Sequence, residues 1–170
     1  EGVGGFGEII INGGTQDVAV VSSDKVKTAE TSLRQAALNL RRVPGILNGF
    51  KEERLDPRVI MTFAIIGAKS GKSLSNREGA GALKDEIAKL IEERVVGEKN
   101  ISVVERNGAF QISVSTRFNG VGRTTVLNSE LLARPDFSRL IRIMDEAAKL
   151  GAAPYEIHEK GSAVASTVLD

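Results

Sequence analysis

The chain has no cysteine and no tryptophan, and only one tyrosine, one histidine and six phenylalanines among 170 residues. Without cysteine there can be no disulfide and no thiolate metal site, which fits a cytoplasmic protein, the location expected here. Aromatic residues make up 4% and apolar residues 41% of the chain, so the core must be built mainly from Ile, Leu, Val and Ala. An excess of charge of one sign is also missing. With 23 basic and 22 acidic residues the formal net charge is +1, so any attraction to nucleic acid requires a local patch. No apolar run approaches the ~20 residues needed to cross a bilayer, and no membrane partner is expected. The chain opens at Glu1 with neither methionine nor a signal-like apolar segment, as expected of a mature or excised fragment.

The most readable stretch is Ile101 to Gly161. Ile101-Ser-Val-Val-Glu-Arg and Phe110-Gln-Ile-Ser-Val-Ser-Thr alternate apolar and polar residues on either side of Asn107-Gly108. That pair tolerates the positive φ angles of a type I′ turn and predicts a β-hairpin. Asn119-Gly120 turns the chain again into Arg123-Thr-Thr-Val-Leu, so 101–127 reads as a three-stranded meander. Beyond it, Phe137, Leu140, Ile141, Met144 and Ala148 recur at helical spacing. They predict a helix over 136–150 lying across the sheet, stopped by Gly151 and Pro154.

Taken from its start, the chain carries Gly2-Val-Gly4-Gly-Phe-Gly7, a literal Gly-x-Gly-x-x-Gly with no strand before it and a strand-like Glu8-Ile-Ile-Ile11 after it. Residues 1–7 therefore read as a flexible opening segment. Asn12-Gly13-Gly14 turns into Asp17-Val-Ala-Val-Val21, an N-terminal hairpin. Leu33, Ala36, Ala37, Leu40 and Val43 give a helical stripe that Pro44-Gly45 ends, with Arg41 and Arg42 complementing its dipole. A short helix fits 46–55 before Asp56-Pro57 interrupts. Val59 to Ile66 is a continuous apolar run, either a buried strand or a buried helical piece. A third helix spans 79–96, with Leu83, Ile87, Leu90 and Ile91 on one face. With no repeat and no linker, the reading is a single α+β domain over 1–170. Its expected architecture is an antiparallel meander with an N-terminal hairpin, packed by two to three amphipathic helices.

Three stretches carry residue types suited to chemistry. Gly67-Ala-Lys-Ser-Gly71-Lys72-Ser73 approaches a phosphate-binding loop, in which successive amides cradle phosphate and the lysine reaches its terminal group. It is one residue short and lacks a strand ending in a magnesium-holding aspartate. Nucleotide binding through Gly67, Gly71, Lys72 and Ser73 is therefore only the alternative reading. Glu78-Gly-Ala-Gly-Ala82 resembles the Glu-Gly-x-x-Ala of the topoisomerase–primase metal fold, but the Asp-x-Asp that fold needs is absent from the chain. His158, between Glu156 and Glu159, lacks an evident nucleophile to serve and reads as an exposed strand histidine. No active site, cofactor or metal is expected within this chain.

The run Phe110 to Leu140 resembles the C-terminal half of bacterial DNA gyrase B, part of a type IIA topoisomerase. Asn119-Gly120-Val121 is similar to that family's His-Gly-Val turn, with Asn replacing His. Val126-Leu127-Asn128-Ser129-Glu130-Leu131-Leu132 is similar to its Leu-Asp-x-x-Phe-Leu cap, and Pro135-Asp-Phe-Ser-Arg-Leu140 to its helix start. Leu40-Arg-Arg-Val-Pro44 resembles its Arg-Arg-Tyr-Pro helix end. The likeness is fair over 101–166, weak over 26–57 and absent over 1–20 and 58–100. It implies an insertion domain that lies between the metal-binding fold and the C-terminal tail. Such an insertion has no catalytic residue of its own, Tyr155 included, and aids DNA binding and communication between subunits. Partners implied are other parts of a gyrase-like complex and duplex DNA, bound weakly and without sequence preference. Phosphate contacts would fall to Arg117, Arg123, Arg134, Arg139 and Arg142. A structural component of some other assembly is the remaining reading.

Overall fold

Two Asn-Gly pairs set the sheet. Asn107 and Gly108 adopt φ of 53° and 79°, and Asn119 and Gly120 adopt 52° and 79°, the two successive left-handed residues of a type I′ turn. The computed structural model describes residues 38–67, 70–149, 165–166 and 168–169. In chain order the elements are α1 (Val43–Glu52), α2 (Pro57–Ile66), α3 (Ser70–Ser73), α4 (Arg77–Arg94), β1 (Glu98–Arg106), β2 (Ala109–Phe118), β3 (Val121–Leu127), α5 (Ser129–Ala133) and α6 (Pro135–Lys149). The chain divides into two compact units, Glu1–Leu38 and Asn39–Asp170, and the elements above belong to the second. The hairpin expected at 8–21, the opening segment 1–7, most of the helix expected at 29–43, and Tyr155 and His158 lie outside the described residues.

The fold is α+β. Its antiparallel sheet has the order β1-β2-β3, with Val103 opposite Ile112 and Ile112 opposite Leu127. Period-two alternation sends Ile112, Val114, Thr116, Thr125 and Leu127 to the buried side, while Asn100, Ser102, Ser115 and Thr124 stay exposed. The helix covering that sheet is α4, which packs against β1 and β2 through its Ala80, Leu83, Ile87 and Ile91 stripe. Asn76 caps it by accepting from the Gly79 amide at 2.7 Å.

The helix expected across the sheet, α6, packs elsewhere. Its buried face of Phe137, Leu140, Ile143 and Met144 meets α2, α1 and α5. The period in the sequence identifies an apolar stripe without saying which element covers it. A second correction concerns Pro44. Residues 38–40 are helical, 41–42 turn, and Pro44 stands in the first turn of α1, where its missing N–H leaves no bond unmade. Arg41 and Arg42 therefore form the turn between the helical residues 38–40 and α1, and Pro44 opens the second helix instead of ending the first.

The ambiguous apolar run is helix α2. Its signals are Asp56, whose carboxylate accepts from the Arg58 amide at 2.9 Å, and Pro57 in the first turn. Every residue of α2 except Ile65 is buried, as befits a helix enclosed by α1, α4, α6 and β3. Phe50 and Phe137 meet edge to face at 6.4 Å, each fully buried and contributing about 1.5–3 kcal/mol by burial. No helix among the described residues is long and apolar enough to cross a membrane.

Candidate functional site

Five arginines were expected to converge on DNA, and the structure groups only two of them. Arg139 and Arg142 are three residues apart on α6, and both are exposed. Three- and four-residue spacing puts Arg139, Arg142 and Glu146 on one face of the helix. Glu146 accepts from the Asn39 side chain at 3.0 Å, and the Asn39 carbonyl accepts from the Arg42 amide at 3.0 Å. This chain of contacts brings the exposed turn Arg41-Arg42 near Glu146, one helical turn beyond Arg142. None of the four forms an ion pair among the described residues.

Arg117 lies on the open face of the sheet. Its Nη1 donates to the Gly120 carbonyl at 3.3 Å, and its Nε stands 3.8 Å from the Glu98 carboxylate. Arg123 is opposite Thr116 in the ladder, so it points to the other face, where its buried Nε meets no acceptor. Arg134 is spent on structure. It forks onto Glu53 through Nη1 and Nη2, both at 2.7 Å, and onto Asp136 through Nε and Nη2 at 3.1 and 2.9 Å. The guanidinium also covers the Phe50 ring at 4.5 Å. The hydrogen bond from Arg134 holds the Glu53 carboxyl below its usual value. This clamp joins the end of α1 to the start of α6 and engages four of the five guanidinium N–H donors.

The described residues of the alternative nucleotide site lie on or at the ends of helices. A phosphate loop follows a strand, whereas Gly67 caps helix α2. A Cβ on Gly67 would stand 2.9 Å from the Ile141 side chain, so that glycine serves close packing against α6. Gly71, Lys72 and Ser73 belong to the short helix α3. The amides just beyond are spent locally, Leu74 on the Ser70 carbonyl and Ser75 on the Lys72 carbonyl.

The most connected polar group is one that sequence reasoning missed. Asp56 and Arg58 are 0% and 1% exposed. Arg58 donates Nε and Nη2 to the two carboxylate oxygens at 3.1 and 2.7 Å and Nη1 to the Val96 carbonyl, and it lies 4.6 Å from the Phe118 ring centre. Thr116 donates to Asp56 at 2.6 Å, and the Asp56 amide donates to Thr125 at 2.9 Å. Burial pushes the Asp56 carboxyl up. The hydrogen bonds from Arg58 and Thr116, with the Arg58 charge, outweigh that effect and hold it below its ordinary value. The cluster ties α2 to β2, β3 and the α4–β1 connection, and with every carboxylate oxygen occupied it is an anchor, not a reactive site. Its available signal was a charged pair flanking Pro57 beside a long apolar run.

A groove between the α3–α4 turn, the β1–β2 turn and α5 is lined by Leu74, Phe110, Leu132, Arg106 and Gln111, with Glu130 the one carboxylate on its rim. Among the described residues no three His, Cys, Asp or Glu side chains are grouped to hold a metal. A scan against protein-family models finds no match to this chain, and a search of curated proteins finds none either.

Proposed function

We propose that this chain is a non-catalytic accessory domain of a DNA topoisomerase of the gyrase B type, aiding DNA binding and communication between subunits. The observation that carries the proposal is the exposed strip formed by Arg139 and Arg142 with the Arg41-Arg42 turn held near Glu146, one helical turn beyond. Support also comes from the resemblance over 101–166, which implies an insertion of this kind. The strip is suited to phosphates. Arginine presents a planar fork of donors to phosphate oxygens, and none of these four is ion-paired among the described residues, with Glu146 the carboxylate that lies on the same face of α6. Contacts of this kind go to phosphate and carry no sequence information directly, so the binding expected is without sequence preference. Strand cleavage, ATP hydrolysis and metal binding would belong to other parts of the parent protein.

The test is fluorescence anisotropy with labelled duplexes of scrambled sequence, titrated with salt. Binding should be weak and equal for all sequences, with a log–log salt slope of roughly −0.9 per phosphate contact, so about −3 to −4 for four contacts. Arg139→Glu with Arg142→Glu should flatten the slope by about two contacts. Absence of any complex at low salt and high protein concentration would remove the DNA role.

A further inference from the structure

β1 is an edge strand, and among the described residues no strand pairs with its outer side. In a two-residue hairpin the pair flanking the turn exchanges both of its hydrogen bonds, and the residues beyond alternate inward and outward. Arg106 and Ala109 are that flanking pair. Arg106, Val104, Ser102, Asn100 and Glu98 therefore direct their backbone groups toward β2. The amides and carbonyls of Glu105, Val103, Ile101 and Lys99 face the open edge.

We propose that this edge is a self-association surface, at which a second copy of the chain adds its own β1 antiparallel about a two-fold axis at Ser102. Ser102 is the midpoint of Glu98–Arg106, so this register overlaps the whole strand. It also places outward residue against outward residue, as an antiparallel ladder requires. Reversed on itself, the strand sets each charged residue against its opposite and Ile101 against Val103, with Asn100 opposite Val104 the unmatched pair. Glu98 faces Arg106 of the second copy, Lys99 faces Glu105, Ile101 faces Val103, and Ser102 faces itself. The first pair lies on the exposed face of the sheet, and the Ile101–Val103 pair continues its apolar face. An isologous interface needs this kind of self-matching patch.

Charges on edge strands commonly serve to prevent such pairing. They repel a second copy only where like faces like, and in this register each charged residue meets its opposite. Existing contacts of Glu98, Lys99 and Glu105 must be accommodated: Glu98 stands 3.8 Å from Arg117, and Lys99 stands 3.9 Å from Glu92. Lys99 Nζ donates to the Val95 and Gly97 carbonyls at 2.7 and 3.1 Å, and Glu105 accepts from Arg77 at 2.9 Å. The Arg77–Glu105 pair is exposed on both sides, so Glu105 has a free oxygen for a second cation. The other edge of the sheet is unsuited to the same role. Thr125 of β3 is engaged by the Asp56 amide, and α2 and α5 both lean on that strand.

The experiment is sedimentation equilibrium of the 170-residue chain over a concentration series, with circular dichroism to monitor folding. The wild type should show a monomer–dimer equilibrium. Glu105→Pro removes an outward N–H that the sheet itself does not use, which an edge strand tolerates, and should leave a folded monomer. Arg106→Glu and Glu98→Arg should each weaken dimerisation by about tenfold, because the two-fold axis duplicates every like-charge contact. Combining the two swaps should restore it to within about threefold of wild type. A wild type that stays monomeric at millimolar concentration overturns the proposal. So does a dimer that neither the proline nor the single charge swaps disturb. The charge-swap series decides the matter even if the proline variant fails to fold.

Discussion

Arg58 and Asp56, two residues apart in sequence, meet through two hydrogen bonds of 2.7 and 3.1 Å with both side chains 1% exposed. Val96 and Thr116 bind the two side chains further and the Asp56 backbone amide donates to Thr125, so four separate segments meet at this pair. Removing either partner leaves the other charge buried and uncompensated. Arg58→Ala and Asp56→Ala should each cost about 3–5 kcal/mol in urea unfolding. Arg58→Met should cost less than Arg58→Ala, because it retains packing against Phe118.

The same pair sets an acid response. The folded-state pKa of Asp56 lies below its ordinary value of 3.8, so the folded protein binds this proton less readily than the unfolded chain. The stability it contributes is fully present above pH 3.8 and is lost as pH falls through the folded value. Unfolding free energy measured against pH should therefore fall over that interval. In Asp56→Asn the fall should be shallower, on a lower overall stability.

Two glycines with positive φ should respond differently to alanine. Gly108 at +79° has nothing within 4 Å of an added Cβ, whereas Gly97 at +106° would place that atom 2.5 Å from the Arg117 carbonyl oxygen. Gly108→Ala pays only the left-handed cost, about 1–2 kcal/mol. Gly97→Ala adds a steric clash with backbone and should be clearly worse in thermal or urea melts. Gly108→Val should exceed Gly108→Ala, since a β-branched residue resists this conformation more strongly.

Arg134 separates a structural arginine from a ligand-binding one. Arg134→Lys loses the double fork onto Glu53 and Asp136, and should lower stability by about 1 kcal/mol, a modest figure because the pair is partly exposed. Arg139→Lys should leave stability unchanged. If duplex binding fell more for Arg134→Lys than for Arg139→Glu with Arg142→Glu, this division of roles would be wrong.

Lys72 is exposed in a four-residue helix preceded by a helix. Calorimetry with ATP and magnesium should show no saturable heat, and Lys72→Ala should leave stability unchanged. A micromolar affinity abolished by that substitution would restore the nucleotide-binding reading.

The positions of the strands and turns were legible because each depended on residues adjacent in sequence. Asn107-Gly108 and Asn119-Gly120 carry their own backbone preference, and alternation around them fixed the faces of β2 and β3. The α4 stripe was legible for the same reason. The candidate site was less so. Five arginines were named from their spacing on the meander and its helix, yet spacing does not reveal that Arg134 is held by Glu53, 81 residues away. Pro44 was assigned to the end of a helix when it stands in the first turn of the next, with Arg41 and Arg42 in the turn between the two.

By itself, the sequence determined the turn positions, the strand alternation and the amphipathic helices, since φ preference and periodicity are local properties of the chain. Only the tertiary structure decided that 57–66 is a helix enclosed by its neighbours, that α6 packs on α1 and α2, and that Arg58 is an interior residue. The Thr116 hydroxyl that stabilises Asp56 is 60 residues distant and the Thr125 hydroxyl 69. A buried charge is tolerable only where such remote partners converge on it, and that convergence exists only in the folded chain.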